Sequence, residues 1–250
     1  MIARARIVAE ADGSGGTRLV VLRSSVPLVL RQAQGAVWIV GGAAGPLGGD
    51  DLSLDVDVGP GATLTVRTAA AAVALPGPAG SASRLRVSTA VGAGATLRWL
   101  PEPVVAASGC LHRADARIGL GGGARLVWRE EVLLGRHGED AGSCRSRIRV
   151  DLQGNPLLRQ EVRVGPDALG WRGAAVAAGA RAIGSLLVVD PALEGRVVPG
   201  IVLGPTAVAV SLAGPAALVT ALAPGALSLR ALLAEGETRL QVWTKEPKVR

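Results

Sequence analysis

A phrase of eleven residues recurs three times in the first half of the chain: "VDVGPGATLTV" at Val56 to Val66, "TAVGAGATLRW" at Thr89 to Trp99 and "IGLGGGARLVW" at Ile118 to Trp128. Each copy alternates apolar and polar positions, turns at a Gly-x-Gly-Ala or Gly-Gly-Gly-Ala element, then alternates again through Leu64 and Val66, Leu97 and Trp99, or Leu126 and Trp128. Period-two alternation on both sides of a glycine turn means strand, turn, strand. The glycine just before the alanine supplies a backbone position with positive φ, and the alanine permits close packing. The copies are spaced by 33 residues (Ala62 to Ala95) and 29 residues (Ala95 to Ala124), the range of stacked structural units. The spacing predicts an all-β fold, mainly β with one or two short helices, whose stacked β-sheets form a β-helical, solenoid-like superstructure. A plain sandwich of regular hairpins is the alternative that the same pattern leaves open.

The rest of the chain continues in this style. "SRIRVDLQGNPLLRQEVRV" at Ser146 to Val164 reads as two strands about a "QGNP" turn, and "RAIGSLLVVD" and "AVAVSLAG" read as further strands. Only Ala223 to Glu237 has helical spacing, with Pro224 at its start, Leu227, Arg230, Leu233 and Ala234 following, and Gly236 as the expected stop. The 35 glycines and 15 prolines break regular structure too often for long helices. No linker divides the chain, so residues 1–250 read as a single domain.

Charge narrows the function classes. The formal net charge is +7, yet the cations are scattered among carboxylates from Arg4 to Arg250, with no polybasic tract. Phe and Tyr are absent and only five Trp are present, so stacking platforms for bases are missing and no nucleic-acid partner is expected. The opening "MIARARIVAE" reads as neither a secretory signal nor a transit peptide, which predicts a cytoplasmic protein. Val197 to Leu229 lacks charge for 33 residues, but its prolines and glycines leave no run longer than Thr206 to Ala213, so no membrane partner is expected.

Chemistry-bearing residues are sparse. "GLGGGARL" is a copy of the repeated turn and lacks the Gly-Lys-Ser/Thr of a phosphate loop. Cys110 and Cys144 read as small buried hydrophobes. Cys110 and His112 would share one face of a strand, but two ligands do not close a metal site, and the expectation is a buried cysteine beside a surface histidine. "LGRHGED" at Leu134 to Asp140 is the densest polar cluster and reads as a solvated loop with local ion pairs. A hydrolase built on His137, Glu139 and Cys144 has no orienting constellation behind it. Asp50, Glu130, Glu131 and Glu161 stand in strand contexts; any found inside requires Arg, metal or water as partner.

Taken in order, "GPLGGDDLSLDVDVGPGATLTVRT", "GATLRWLPEPVV", "LVWREEVLLGRHGED" and "DLQGNPLLRQEVRV" resemble the urease accessory protein UreD (UreH) family from about Gly45 to Val164. The resemblance implies stacked β-sheets in a helical superstructure with a small helical element near the end. It implies no enzyme activity, but a nickel-insertion chaperone that scaffolds UreF and UreG on the urease apoprotein and conducts nickel through an internal passage. The resemblance implies no tightly bound cofactor and only transient nickel. Carried over by motif, Asp50, Glu130, Glu139 and Glu161 would line the passage as transient metal contacts, with Thr68 and Arg136 supporting it. Where the family continues TTQAATK, this chain has "RTAAAAV" at Arg67 to Val73, and Asp140 stands where a larger apolar residue is usual. The residues by themselves also admit a β-rich structural or protein-binding module without a metal-delivery role.

Overall fold

Each glycine phrase crosses from one sheet to another, and that crossing decides between the two architectures left open above. The computed structural model describes residues 1–196 and 199–245, so Val197 and Val198, at the start of the uncharged stretch, lie outside the described residues. Along the chain the strands are β1 (Ile2–Ala11), β2 (Thr17–Arg23), β3 (Leu28–Ala33), β4 (Ala36–Gly41), β5 (Asp51–Val58) and β6 (Thr63–Thr68). They continue as β7 (Ala72–Ala74), β8 (Ser83–Val91), β9 (Thr96–Leu100), β10 (Val104–Ala106), β11 (Leu111–Leu120) and β12 (Arg125–Leu133). Then come β13 (Ser143–Leu152), β14 (Asn155–Val164), β15 (Ala182–Val189), β16 (Ile201–Val202), β17 (Ala207–Ser211), β18 (Ala216–Ala223) and one helix, α1 (Ala226–Lys245).

One sheet runs β14-β13-β11-β8-β5-β1-β2, and the other runs β16-β17-β18-β15-β12-β9-β6-β4-β3, with β7 and β10 as a short side ladder on β12. The strand before each glycine turn lies in the first sheet and the strand after it in the second. Successive copies are therefore parallel to their equivalents: β5 pairs with β8 and β8 with β11, β6 with β9 and β9 with β12. The result is a β-solenoid of about four turns. Hairpins close its ends, including the "QGNP" turn between β13 and β14, where Leu152 faces Asn155 across the tip.

The turns stack on each other as closely as the strands do. In each, the alanine N–H donates to the first glycine's carbonyl: Ala62 to Gly59, Ala95 to Gly92, Ala124 to Gly121. Between turns, Gly61 N–H donates to Ala93 O and Gly94 N–H to Gly122 O. Gly61, Gly94 and Gly123 hold φ of 70°, 64° and 70°, the left-handed region that a Cβ disfavours. The first glycines do different work. A Cβ on Gly92 would lie 2.6 Å from Pro60 N, and one on Gly121 would lie 2.7 Å from Ala93 N.

Between the sheets, inward residues form one apolar core, including Ile7, Leu54, Val56, Leu97, Leu126, Ile118, Val150 and Leu187. Trp99 and Trp128, register partners on β9 and β12, stack with centroids 4.8 Å apart and planes 11° apart. A second apolar cluster lies on the other face of the second sheet, where Leu229, Leu233 and Leu240 of α1 pack against Leu186, Val188, Ala217 and Val219. The helix runs on past Gly236, against the expected stop there. A Cβ on Gly236 would lie 2.7 Å from both Val219 methyls, so this glycine lets the helix approach the sheet.

Two substitutions separate the two glycine roles. Gly94→Ala meets open space and carries only the φ penalty, about 1 kcal/mol. Gly92→Ala drives a methyl into backbone and is expected to cost about 2–3 kcal/mol in urea unfolding. A Gly92→Ala cost no larger than that of Gly94→Ala would show that turn stacking is not the constraint.

Candidate functional site

Close-packed aliphatics fill the space between the sheets near the glycine turns; at the opposite end the chain returns from the second sheet to the first. A cavity of about 550 Å³ lies there, lined by Leu52, Leu54, Thr68, Trp99, His112, Glu130 and Cys144 among others. Its edge reaches the exposed residues Ala43, Ala44 and Ala69 to Ala71. A second cavity, about 680 Å³, lies among β14, β15, β17 and β18 and includes Gln160, Glu161, Arg163 and Thr220. The two share wall residues Glu130, Val132 and Ser146.

Strand alternation explains how an acid comes to stand on that shared wall. On β12, Leu126, Trp128 and Glu130 occupy one face, while Glu131 points to the opposite one. Glu130 Oε1 accepts from Trp128 Nε1 at 3.1 Å and Oε2 from Ser146 Oγ at 2.5 Å. Burial pushes its carboxyl above the usual range, and the two hydrogen bonds only partly oppose this. Glu131 is 4% exposed and bound by Arg129 Nε at 3.1 Å and Arg230 Nη2 at 2.8 Å. Arg230 also holds Glu102, at 3.0 Å, which fastens α1 over the sheet beside the cavity. Removing the arginine from such a cluster would strand a buried charge.

The remaining motif residues are dispersed. Asp50 is buried outside both cavities, where it takes the Met1 ammonium and the Leu47 N–H. Thr68 lies on the inner cavity wall, donating to Ala70 O at 3.0 Å and accepting from Glu102 N–H at 2.8 Å. Glu139 is in neither cavity. It accepts from Arg136 Nε at 2.9 Å, Arg136 N–H at 2.8 Å and Ser108 N–H at 3.3 Å, clasping the loop and drawing its carboxyl down to about 2. Arg136 is thus committed to the same clasp, and its carbonyl accepts from Arg181. Glu161 lines the outer cavity between Arg147 and Arg163, whose guanidiniums, Arg147 first, hold its carboxyl low.

His112 departs from the expected surface position: it is 2% exposed. The reason is parity, since His112 shares the inward row of β11 with Ala116, Ile118 and Leu120. Its Nδ1 is 2.9 Å from Ser83 Oγ, and Nε2 has no hydrogen-bond partner. Burial lowers its pKa to about 4, so the ring is neutral. Cys110 and Cys144 are both buried free thiols, as expected, with burial pushing them to about 11 and about 12. Among the described residues no three His, Cys, Asp or Glu side chains are grouped to hold a metal ion. Nor is any described helix long and apolar enough to cross a membrane. Ser83, Ser146 and the Trp128 indole escaped the sequence reading, although "SCRSRIRV" places Ser146 in the inward row with Ile148.

The buried imidazole fixes a pH dependence. The unfolded ring protonates near 6.5 and the folded one near 4, so the unfolded chain binds the extra proton between those values. The His112 contribution is complete above pH 6.5 and is lost as pH falls toward 4, by about 3 kcal/mol. Urea unfolding of wild type and His112→Asn from pH 7.5 to 4.5 should show a smaller slope in the variant; equal slopes would place the proton uptake elsewhere.

Comparison with known proteins bears on what such a body is for. The family model described as UreD urease accessory protein matches residues 1–249. The urease accessory protein UreD of Streptomyces avermitilis is 47% identical over 244 residues, covering 95% of this chain and 97% of that protein. UreD 3 of Streptomyces griseus is 47% identical over 247 residues, covering 95% and 96%. UreD of a Parafrankia strain is 44% identical over 253 residues, covering 91% and 85%.

Proposed function

The chain belongs to the UreD urease accessory protein family, and from that premise we propose that it is a nickel-insertion chaperone acting in urease maturation. It works without catalysis, in the cytoplasm, as a scaffold joining UreF and UreG to the urease apoprotein, and it conducts nickel to the nascent active site through its interior. The observation that carries this reading is that two cavities share the wall residues Glu130, Val132 and Ser146.

A conduit must hold its cargo and release it. Carboxylate, hydroxyl and water contacts suit that better than a closed cage of soft ligands. Glu130 supplies an acid on the wall that the two cavities share and Thr68 a hydroxyl on the inner wall, while Glu161 stands exposed at the rim of the outer cavity. Glu161 is neutralised by two arginines, so its hold on a cation is weakened. Asp50 and the Arg136–Glu139 clasp act from outside the cavities, by fixing the chain start and the loop after β12. The alanines of "RTAAAAV" give the inner chamber an apolar mouth.

Glu130→Gln keeps the shape and removes the charge. Urease matured with this variant is expected to contain several-fold less nickel while the variant still copurifies with UreF and the urease subunits. Unchanged nickel content would remove the passage. A wild-type chain that captures neither soluble, folded partner would remove the scaffold and favour the metal-free module.

A further inference from the structure

His112 is a buried titratable side chain whose outer ring nitrogen, Nε2, has no hydrogen-bond partner. A buried ring nitrogen without a partner costs about 1–3 kcal/mol, and an apolar side chain at the same inward position would avoid that cost. Both His112 and Cys144 line the inner cavity, and the β11–β13 register sets them directly opposite one another. Two residues further along β13, Ser146 donates to Glu130 on β12 of the facing sheet.

We propose that His112 Nε2, with the Cys144 thiol beside it, is a ligand station for nickel in transit through the inner cavity, adjacent to Glu130. The proposal rests on the passage reading above and adds a nitrogen ligand to it. Imidazole favours nickel and other late divalent metals over magnesium, whereas carboxylates and hydroxyls discriminate little. A station of this kind would give the route selectivity that oxygen contacts alone do not.

Ser83 prepares the ring. Its Oγ lies 2.9 Å from Nδ1 and 3.5 Å from Leu111 O. Both contacts are satisfied when Nδ1–H donates to Oγ and Oγ–H donates to the carbonyl, which leaves the lone pair on Nε2. A neutral ring in this tautomer can accept a cation without releasing a proton. The neighbouring thiol is held protonated by burial, so it contributes a weak sulfur contact. One nitrogen and a neutral sulfur bind loosely, as cargo in passage requires.

His112 and His137 are the only histidines, so a His137→Asn background leaves a single imidazole signal. In the full chain carrying that change, with nitrogen-15-labelled histidine, the ring spectrum is expected to show the Nδ1–H tautomer. Paramagnetic Ni²⁺ should broaden Nε2 and the adjacent ring protons, and Mg²⁺ at the same concentration should not. Ser83→Ala should weaken the nickel response about tenfold, the usual loss when a ligand's orienting partner is removed. Ring signals that stay sharp in excess Ni²⁺, or that respond equally to Mg²⁺, would overturn the station and leave a structural histidine. The Glu130→Gln urease assay separates the two ideas. Nickel loss there with a silent His112 removes the station alone, whereas unchanged nickel removes the passage beneath it.

Discussion

The structure depends on the contact between one glycine turn and the next. Gly92 and Gly121 pack onto the backbone of the preceding turn closer than a Cβ allows, while Gly94 hands an N–H to the following turn. Because each turn crosses between sheets, fixing the turns in a stack fixes both sheets in register at once. The parallel ladders follow from that geometry, since successive strands leave equivalent turns in the same direction. Aliphatic rows and the Trp99–Trp128 stack then fill the space near the turns. At the other end the return connections stack as well, β7 pairing with β10 and Ala107 N–H donating to Ala74 O, and the inner cavity lies beside them.

Charge is sorted by the same architecture. On the outer face of the first sheet, Arg6 meets Asp57, Arg86 meets Asp51, and Arg145 and Arg147 meet Asp115 and Glu161. Such exposed pairs contribute about 0–1 kcal/mol each, so the scattered arginines serve register and solubility. The cluster of Arg129, Glu131, Arg230 and Glu102 is different in kind. It is partly desolvated and joins the helix to the sheet, so losing one partner exposes the others to an uncompensated burial cost. Glu130 and Glu131 are neighbours in sequence with opposite fates, one bound by a tryptophan and a serine and one neutralised by arginine.

Much of this was legible in the chain itself. Repetition and alternation specified stacked strands, because those properties are local. The same local reasoning misplaced Gly236, whose usual role as a helix stop yields here to close packing on Val219. It also placed His112 at the surface, although its parity with Ala116 and Ile118 was available. The motif acids Glu130, Glu139 and Glu161 looked equivalent as letters. Their partners made them different: a tryptophan and a serine for Glu130, a loop clasp for Glu139, two arginines for Glu161.

The sequence by itself determined an all-β chain, the glycine positions at which it turns, the family to which its motifs point, and the absence of a compact metal-binding motif. Only the tertiary structure decided that the turns cross between sheets, that two cavities share Glu130 and Ser146, and that Ser83, His112 and Cys144 lie side by side on three strands. The reason is separation along the chain. Periodicity and turn chemistry act over a few residues, whereas Ser83, His112 and Cys144 stand about 30 positions apart and meet only because each turn of the solenoid returns the chain to the same place.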